Sequence, residues 1–283
     1  MEASLTASAA PSAPAPQKST IRDFAFPIVA ILASLYFPKQ FIIDAFLVVG
    51  QAHFLMAYLY QYRGKKMNQW YALVGLLTFA ACALYFTAGG GVTAILIVAG
   101  ILFALHFAID ECTLHEEKLS MRSWVAIGGF VAMFSSLILL VIYPHLVVVP
   151  IIASFLLAAS IAVRTFVSRT PVSRTERYLW FVEASLFVLA LVLGLPEQVL
   201  GVVLLLHFAN WYVWYGGKVA ERPGKAKGYW TEVIVTLAIS AAAFAALRYF
   251  GASVFGLFFA LQFYYAWAIA HILLSFVSAK WHS

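Results

Sequence analysis

Ten apolar runs follow one another between residues 24 and 277, most of them about as long as a bilayer's hydrocarbon core is thick, with only short breaks between them. A helix needs about 20 predominantly apolar residues to cross that core, and every backbone polar group inside it must be satisfied within the segment. The pattern therefore predicts an all-α, polytopic integral membrane bundle. The runs are 24–37, 40–62, 70–87, 91–110, 124–143, 146–164, 178–195, 198–216, 229–249 and 253–277. Their breaks carry helix-stopping chemistry, such as Pro38-Lys39, Arg63-Gly64, Gly89-Gly90-Gly91, Pro144, Pro196-Glu197 and Gly251. The first run is short and holds Pro27.

With 64% of its residues hydrophobic and only 11% charged, the chain is far from the roughly 25% charged residues of a soluble domain. Ten spans leave no room for a separate soluble domain, so residues 21–283 read as one membrane domain. Residues 1–20, rich in Ala, Ser and Pro, read as a disordered tail, not as a signal peptide. The net charge of +6 points to membrane topology and not to nucleic acid, because the basic residues cluster between apolar runs. With cytoplasmic termini, sixteen of the 18 basic residues fall on the inner side, leaving Lys39 and Arg248 outside. The positive-inside rule then places the protein in an inner membrane with both termini in the cytoplasm. The bilayer is the expected partner, with inner-face basic clusters meeting anionic lipid.

An internal repeat accompanies the runs. His53 and His207 both open a His-Phe-x-x-x-Tyr pattern followed by a basic turn and an aromatic pair, and FALHF at 103–107 is echoed by FALQF at 259–263. The second to fourth helices read as a parallel duplicate of the eighth to tenth.

Ionisable groups are expensive inside a membrane and mark function by default. His53, His106, His207 and His271 lie on the second, fourth, eighth and tenth runs, all of which cross in the same direction. Ligands contributed one per helix are how bundle-core metal sites are built, and neutral imidazole suits iron, zinc and copper. The alternative for each is a core histidine hydrogen-bonded to a neighbouring hydroxyl or carbonyl. Asp110, four residues after His106, shares its helical face and is placed to ligate or to orient the imidazole.

Around this site an aromatic slot would hold a lipophilic small molecule, with Tyr60, Trp211, Trp214, Tyr264 and the deep carboxyl of Glu183 as its candidate lining. Glu183 has no Lys or Arg within its own run, so it is protonated, bonded across to another helix, or faces a cavity. The acidic stretch from Asp110 to Glu117 reads as a solvated juxtamembrane loop, and His145 and His282 as exposed. Cys82 and Cys112 form no metal-ligand pair. No phosphate loop, HEXXH helix, GxSxG elbow or desaturase histidine box is present.

In order and rough spacing the four histidine helices, with His106-Phe107 followed by Asp110, resemble the retinal-forming β-carotene dioxygenases of bacteria and haloarchaea, the Brp/Blh family. The resemblance covers about residues 45–275. It implies ferrous iron held by histidines on separate helices and oxygen activation toward a carotenoid-like substrate. Ala52 and Ala270 stand where that family has proline, Ala57 at its acidic position, and Trp211 where it carries a second histidine. Two other readings stand beside the oxygenase. One is a haem-binding electron-transfer or anchor subunit with paired axial histidines. The other is a transporter or structural protein, motivated by the repeat and the buried carboxylates Asp44 and Glu183.

Overall fold

The computed structural model describes residues 21–63, 69–115, 117–146, 148–149, 151–152 and 172–278. The expected tail over residues 1–20, most of the sixth apolar run, and His282 lie outside the described residues. Among the described residues every regular element is helical and there is no strand. The principal helices are α1 (Ile21–Tyr36), α2 (Lys39–Arg63), α3 (Gln69–Thr87), α4 (Val92–Leu114), α5 (Met121–Ile142), α6 (Arg174–Phe187), α7 (Pro196–Ala220), α8 (Lys225–Phe250), the one-turn α9 (Gly256–Phe259) and α10 (Leu261–Ser278).

Their ends follow local chemistry. Ser120 and Ser173 open α5 and α6 with reciprocal capping boxes, each side-chain oxygen accepting from the backbone N–H three residues on. Pro196 takes the first turn of α7, where its missing N–H leaves nothing unpaired. Gly251 ends α8 at φ 66°, a left-handed turn that side chains disfavour.

Six helices among the described residues are long and apolar enough to cross a membrane: α2, α3, α4, Ser123–Ile142 of α5, α7 and α8. The segments Ser253–Phe259 and Leu261–Phe276 qualify together as a seventh, bent by 46° at Ala260. The helices α1 and α6, with 16 and 14 residues, are shorter than a span, although α6 runs on into a π-helical turn at Val188–Val192.

The packing is two-layered. At the centre α2, α7, α4 and α10 form a ring, each touching the next, with α10 closing back on α2. Outside it, α3 lies on α10, α8 on α2 and α7, α5 on α4, and α6 on α5 and α1. The burial follows this arrangement. In α7, 65% of the apolar window is buried inside the protein, whereas in α3 and α8 it is 11%. Leu76, Leu77, Ile234 and Ile239 point outward, and such continuous exposed apolar surface belongs against lipid chains. Residues from the N-terminal halves of all four central helices (Ile42, Leu96, Gly201 and Leu261) line one cavity at one end of the bundle. The four histidine-bearing helices therefore run in the same direction.

The chain beyond Asp110 corrects one expectation. Instead of a solvated loop, α4 continues to Leu114 and the turn at His115, burying Glu111, Cys112 and His115 against α6 and α7.

Candidate metal centre

One histidine projects from each central helix, and the ring of helices becomes a ring of imidazoles. The centroids of His53 and His207 are 5.5 Å apart, His207 and His106 5.1 Å, His106 and His271 5.5 Å, and His271 and His53 5.1 Å. Neighbouring rings stand at 68–82° to one another. Imidazoles bound to one ion at about 2.1 Å place their centroids roughly 3.2 Å from it and about 4.5–5.2 Å from each other. Neighbouring centroids are within about an ångström of that spacing, while the ligand atoms of His53 and His271 stand outside the tightest group.

The nitrogens supply the second argument. His53 Nδ1, His106 Nε2, His207 Nδ1 and both ring nitrogens of His271 are buried and make no hydrogen bond. Buried polar atoms are almost always paired, and each left unpaired costs about 1–3 kcal/mol. The hydrogen-bonded core histidine is thus not what any of the four presents at these atoms. Asp110 joins them: its Oδ2 lies 3.4 Å from His106 Nε2 and 3.9 Å from His207 Nε2. The ligand atoms of His106, Asp110 and His207 all fall within 4.8 Å of one another. This donor set of imidazoles and one carboxylate, walled by apolar residues, suits a divalent first-row ion.

Aromatic rings pack around the imidazoles. Phe208 and Trp211 sit 4.7 and 4.9 Å from His53, Phe54 5.0 Å from His271, and Phe103 and Phe107 5.6 and 5.8 Å from His207. Beside the imidazoles lies a small apolar cavity of about 30 Å³, bordered by His106, His207 and His271 together with Phe54, Phe103 and Tyr264. Tyr264 holds its position in that wall by donating its hydroxyl to the Phe46 carbonyl at 3.1 Å.

Of the other expected lining residues, Trp211 abuts His53, and Tyr60, Trp214 and Glu183 have their own neighbours. Trp211 stacks on Tyr215 at 5.2 Å, and Tyr215 meets Tyr60 at 4.9 Å, an aromatic column leading from His53 to the C-terminal end of α2. There Tyr60 donates to Glu232 at 2.7 Å, and Arg63 pairs with the same carboxylate. Trp214 lies under the Lys218 ammonium. Glu183 is buried on α6, which packs on α1 and α5.

Sequence reasoning missed a second polar layer beneath the histidines. Asn210, one turn after His207, donates to Glu111 Oε1 at 3.2 Å and contacts the Tyr178 hydroxyl at 2.5 Å. His115 Nδ1 is 3.0 Å from the Thr175 hydroxyl, and its Nε2 is 3.9 Å from Glu111 Oε2. Glu117 accepts from the backbone N–H groups of Arg174 and Thr175, tying the α4 terminus to the start of α6. The signal for this layer was the Glu111/His115 spacing, an i,i+4 continuation of the helix past Asp110. Because Glu111 is 1% exposed, Glu111→Ala strands its partners in the interior. It should cost about 1–3 kcal/mol, read as a lowered midpoint of thermal unfolding in detergent, and Glu111→Gln should cost less than half as much.

The fold and the site thus define a class: an all-helical bundle with apolar helices of membrane-crossing length around a buried histidine–aspartate cluster. No protein family, curated protein or solved structure matches this chain, so its chemistry rests on its own residues.

Proposed function

We propose that His53, His106, His207 and His271 bind one ferrous ion and that the protein is an oxygenase acting on a lipophilic, carotenoid-like substrate. The observation that carries this reading is the closed ring of four imidazoles with five buried nitrogens that make no hydrogen bond, set against an apolar cavity. Bound there, iron supplies one-electron redox chemistry with dioxygen. Asp110 holds His106 and His207 in place, or donates to the ion directly. The phenylalanines around the ring give it an apolar wall, and a hydrocarbon chain reaches His106, His207 and His271 by widening the small cavity beside them. A macrocycle between paired axial histidines needs two rings on opposite faces of a wide slot. Neighbours 5.1–5.5 Å apart all round the ring favour a bare ion over haem.

The reading includes ten spans with cytoplasmic termini in an inner membrane. It also takes α2–α4 and α7–α10 as duplicated units.

The test is metal analysis with an optical spectrum on detergent-purified protein, followed by oxygen uptake with a conjugated polyene. About one iron per chain without a Soret band, and polyene-dependent oxygen uptake, is the expected result. A Soret band would turn the protein into a haem carrier. Absence of both metal and haem would leave the histidines to proton handling, as in a transporter.

A further inference from the structure

Beyond the histidine cavity lies a second, larger one, of about 230 Å³, at the N-terminal ends of the same four helices. Leu96 and Tyr265 line both cavities, so the two adjoin across these side chains. The body of the second is apolar, with Ile42, Phe46 and Ile138 in its wall, but its far end is not. Lys39 and Glu197, joined as an ion pair, stand half-exposed at that end. Beside them Gln198 is 8% exposed, and its side-chain oxygen is buried without a hydrogen-bond partner.

We propose that this outer cavity is a headgroup subsite for a lipid bearing a neutral hydroxyl, whose hydrocarbon chain runs down to the histidine cluster. The proposal deepens the oxygenase reading and rests on it for what happens to the chain, though not for the binding itself.

The polar groups select the head. The Gln198 oxygen only accepts, so it needs a donor. Lys39 and Glu197 already neutralise one another, so the subsite carries no net charge for an ionic head to meet. A carboxylate would bring its acceptor oxygens against the Gln198 oxygen and Glu197. An ammonium would meet Lys39. A hydroxyl donates to Gln198 and still accepts from the Lys39 ammonium. A hydrocarbon without a head leaves the Gln198 oxygen buried and unpaired. The distance also fits a chain and not a small polar molecule: from Gln198 to His207 along α7 is nine residues, or about 13 Å of helix rise. A lipid anchored at its head is thereby registered, with one stretch of its chain held beside the imidazoles.

The experiment measures binding of three fluorescent conjugated tetraenes of equal length to the detergent-purified full chain: the terminal alcohol, the carboxylic acid and the plain hydrocarbon. The alcohol should bind about tenfold or more tighter than the hydrocarbon, as expected for satisfying one buried acceptor. Gln198→Leu should remove that preference while leaving hydrocarbon affinity unchanged, which also reports that the variant is folded. Equal affinity for alcohol and hydrocarbon, or an alcohol preference that survives Gln198→Leu, overturns the proposal. So does tightest binding of the acid that is lost in Lys39→Met, since the head would then be anionic. Alcohol selection in a protein that holds no iron would sustain the subsite and sink the oxygenase, so the two readings fail separately.

Discussion

His271→Leu abolishes iron binding and, in the metal-free protein, raises the unfolding midpoint. Both of its ring nitrogens are buried without a hydrogen bond, so the wild-type side chain brings an unpaired donor and acceptor into the core. Each such group costs about 1–3 kcal/mol, and leucine of similar volume removes both while keeping most of the contacts with Phe54 and His53. A histidine kept for packing gives the opposite sign, because replacing it would break a hydrogen bond and lower the midpoint. Metal content and metal-free thermal unfolding, measured on the same preparation, separate the two. Loss of iron with a gain in stability is the mark of a side chain held for its ligand. Iron retained near one per chain in His271→Leu would remove His271 from the centre. Asp110→Asn should be milder, since its contacts are to His106 and His207 and loss of an orienting group typically weakens metal affinity 10–100-fold.

The apolar runs and their breaks carried most of the helical architecture, because in a bilayer hydropathy and backbone satisfaction leave few alternatives. The histidines were legible for a related reason: each is a polar exception in an apolar stretch, and a common crossing direction implied that they converge. Contacts between helices were not written so plainly. Helical face alone does not say that Tyr60 meets Glu232 and Arg63, and which face of α6 meets which neighbour has no periodic signature. The buried layer of Glu111, His115, Asn210 and Tyr178 was hidden because acidic residues at a helix end ordinarily face water, and only the docking of α6 turns that end inward. The cavity over the histidines was likewise set by tertiary packing, through Ala99 and Gly100 on α4.

Small residues on the central helices make the final prediction, since two glycines of the ring should answer the same substitution in opposite ways. In a helix interior alanine is favoured over glycine by about 1 kcal/mol, so each Gly→Ala change starts with a gain. At Gly100 the added methyl meets the terminal Cδ1 of Ile138 at 2.0 Å, with the next carbon at 3.4 Å. That methyl swings aside by rotation about one bond, and the net change should lie within about 1 kcal/mol of zero. At Gly50 the new methyl would stand 1.9 Å from the Tyr264 hydroxyl, 2.9 Å from its ring carbon and 3.3 Å from Phe208. Tyr264 has no free end to move: it is 1% exposed, and its hydroxyl is bonded to Phe46. Phe208, the other neighbour, packs on His53 at 4.7 Å. Relief must come from separating α2 from α10 or from shifting the rings that fix the imidazoles, at a cost of about 2–3 kcal/mol. Gly50→Ala should therefore lower the unfolding midpoint and weaken metal binding together, although residue 50 touches no ligand, while Gly100→Ala leaves both nearly unchanged. A stable Gly50→Ala protein with full metal content would mean that the α2–α10 contact tolerates displacement, and that the histidine ring is positioned by each helix separately and not by their mutual packing.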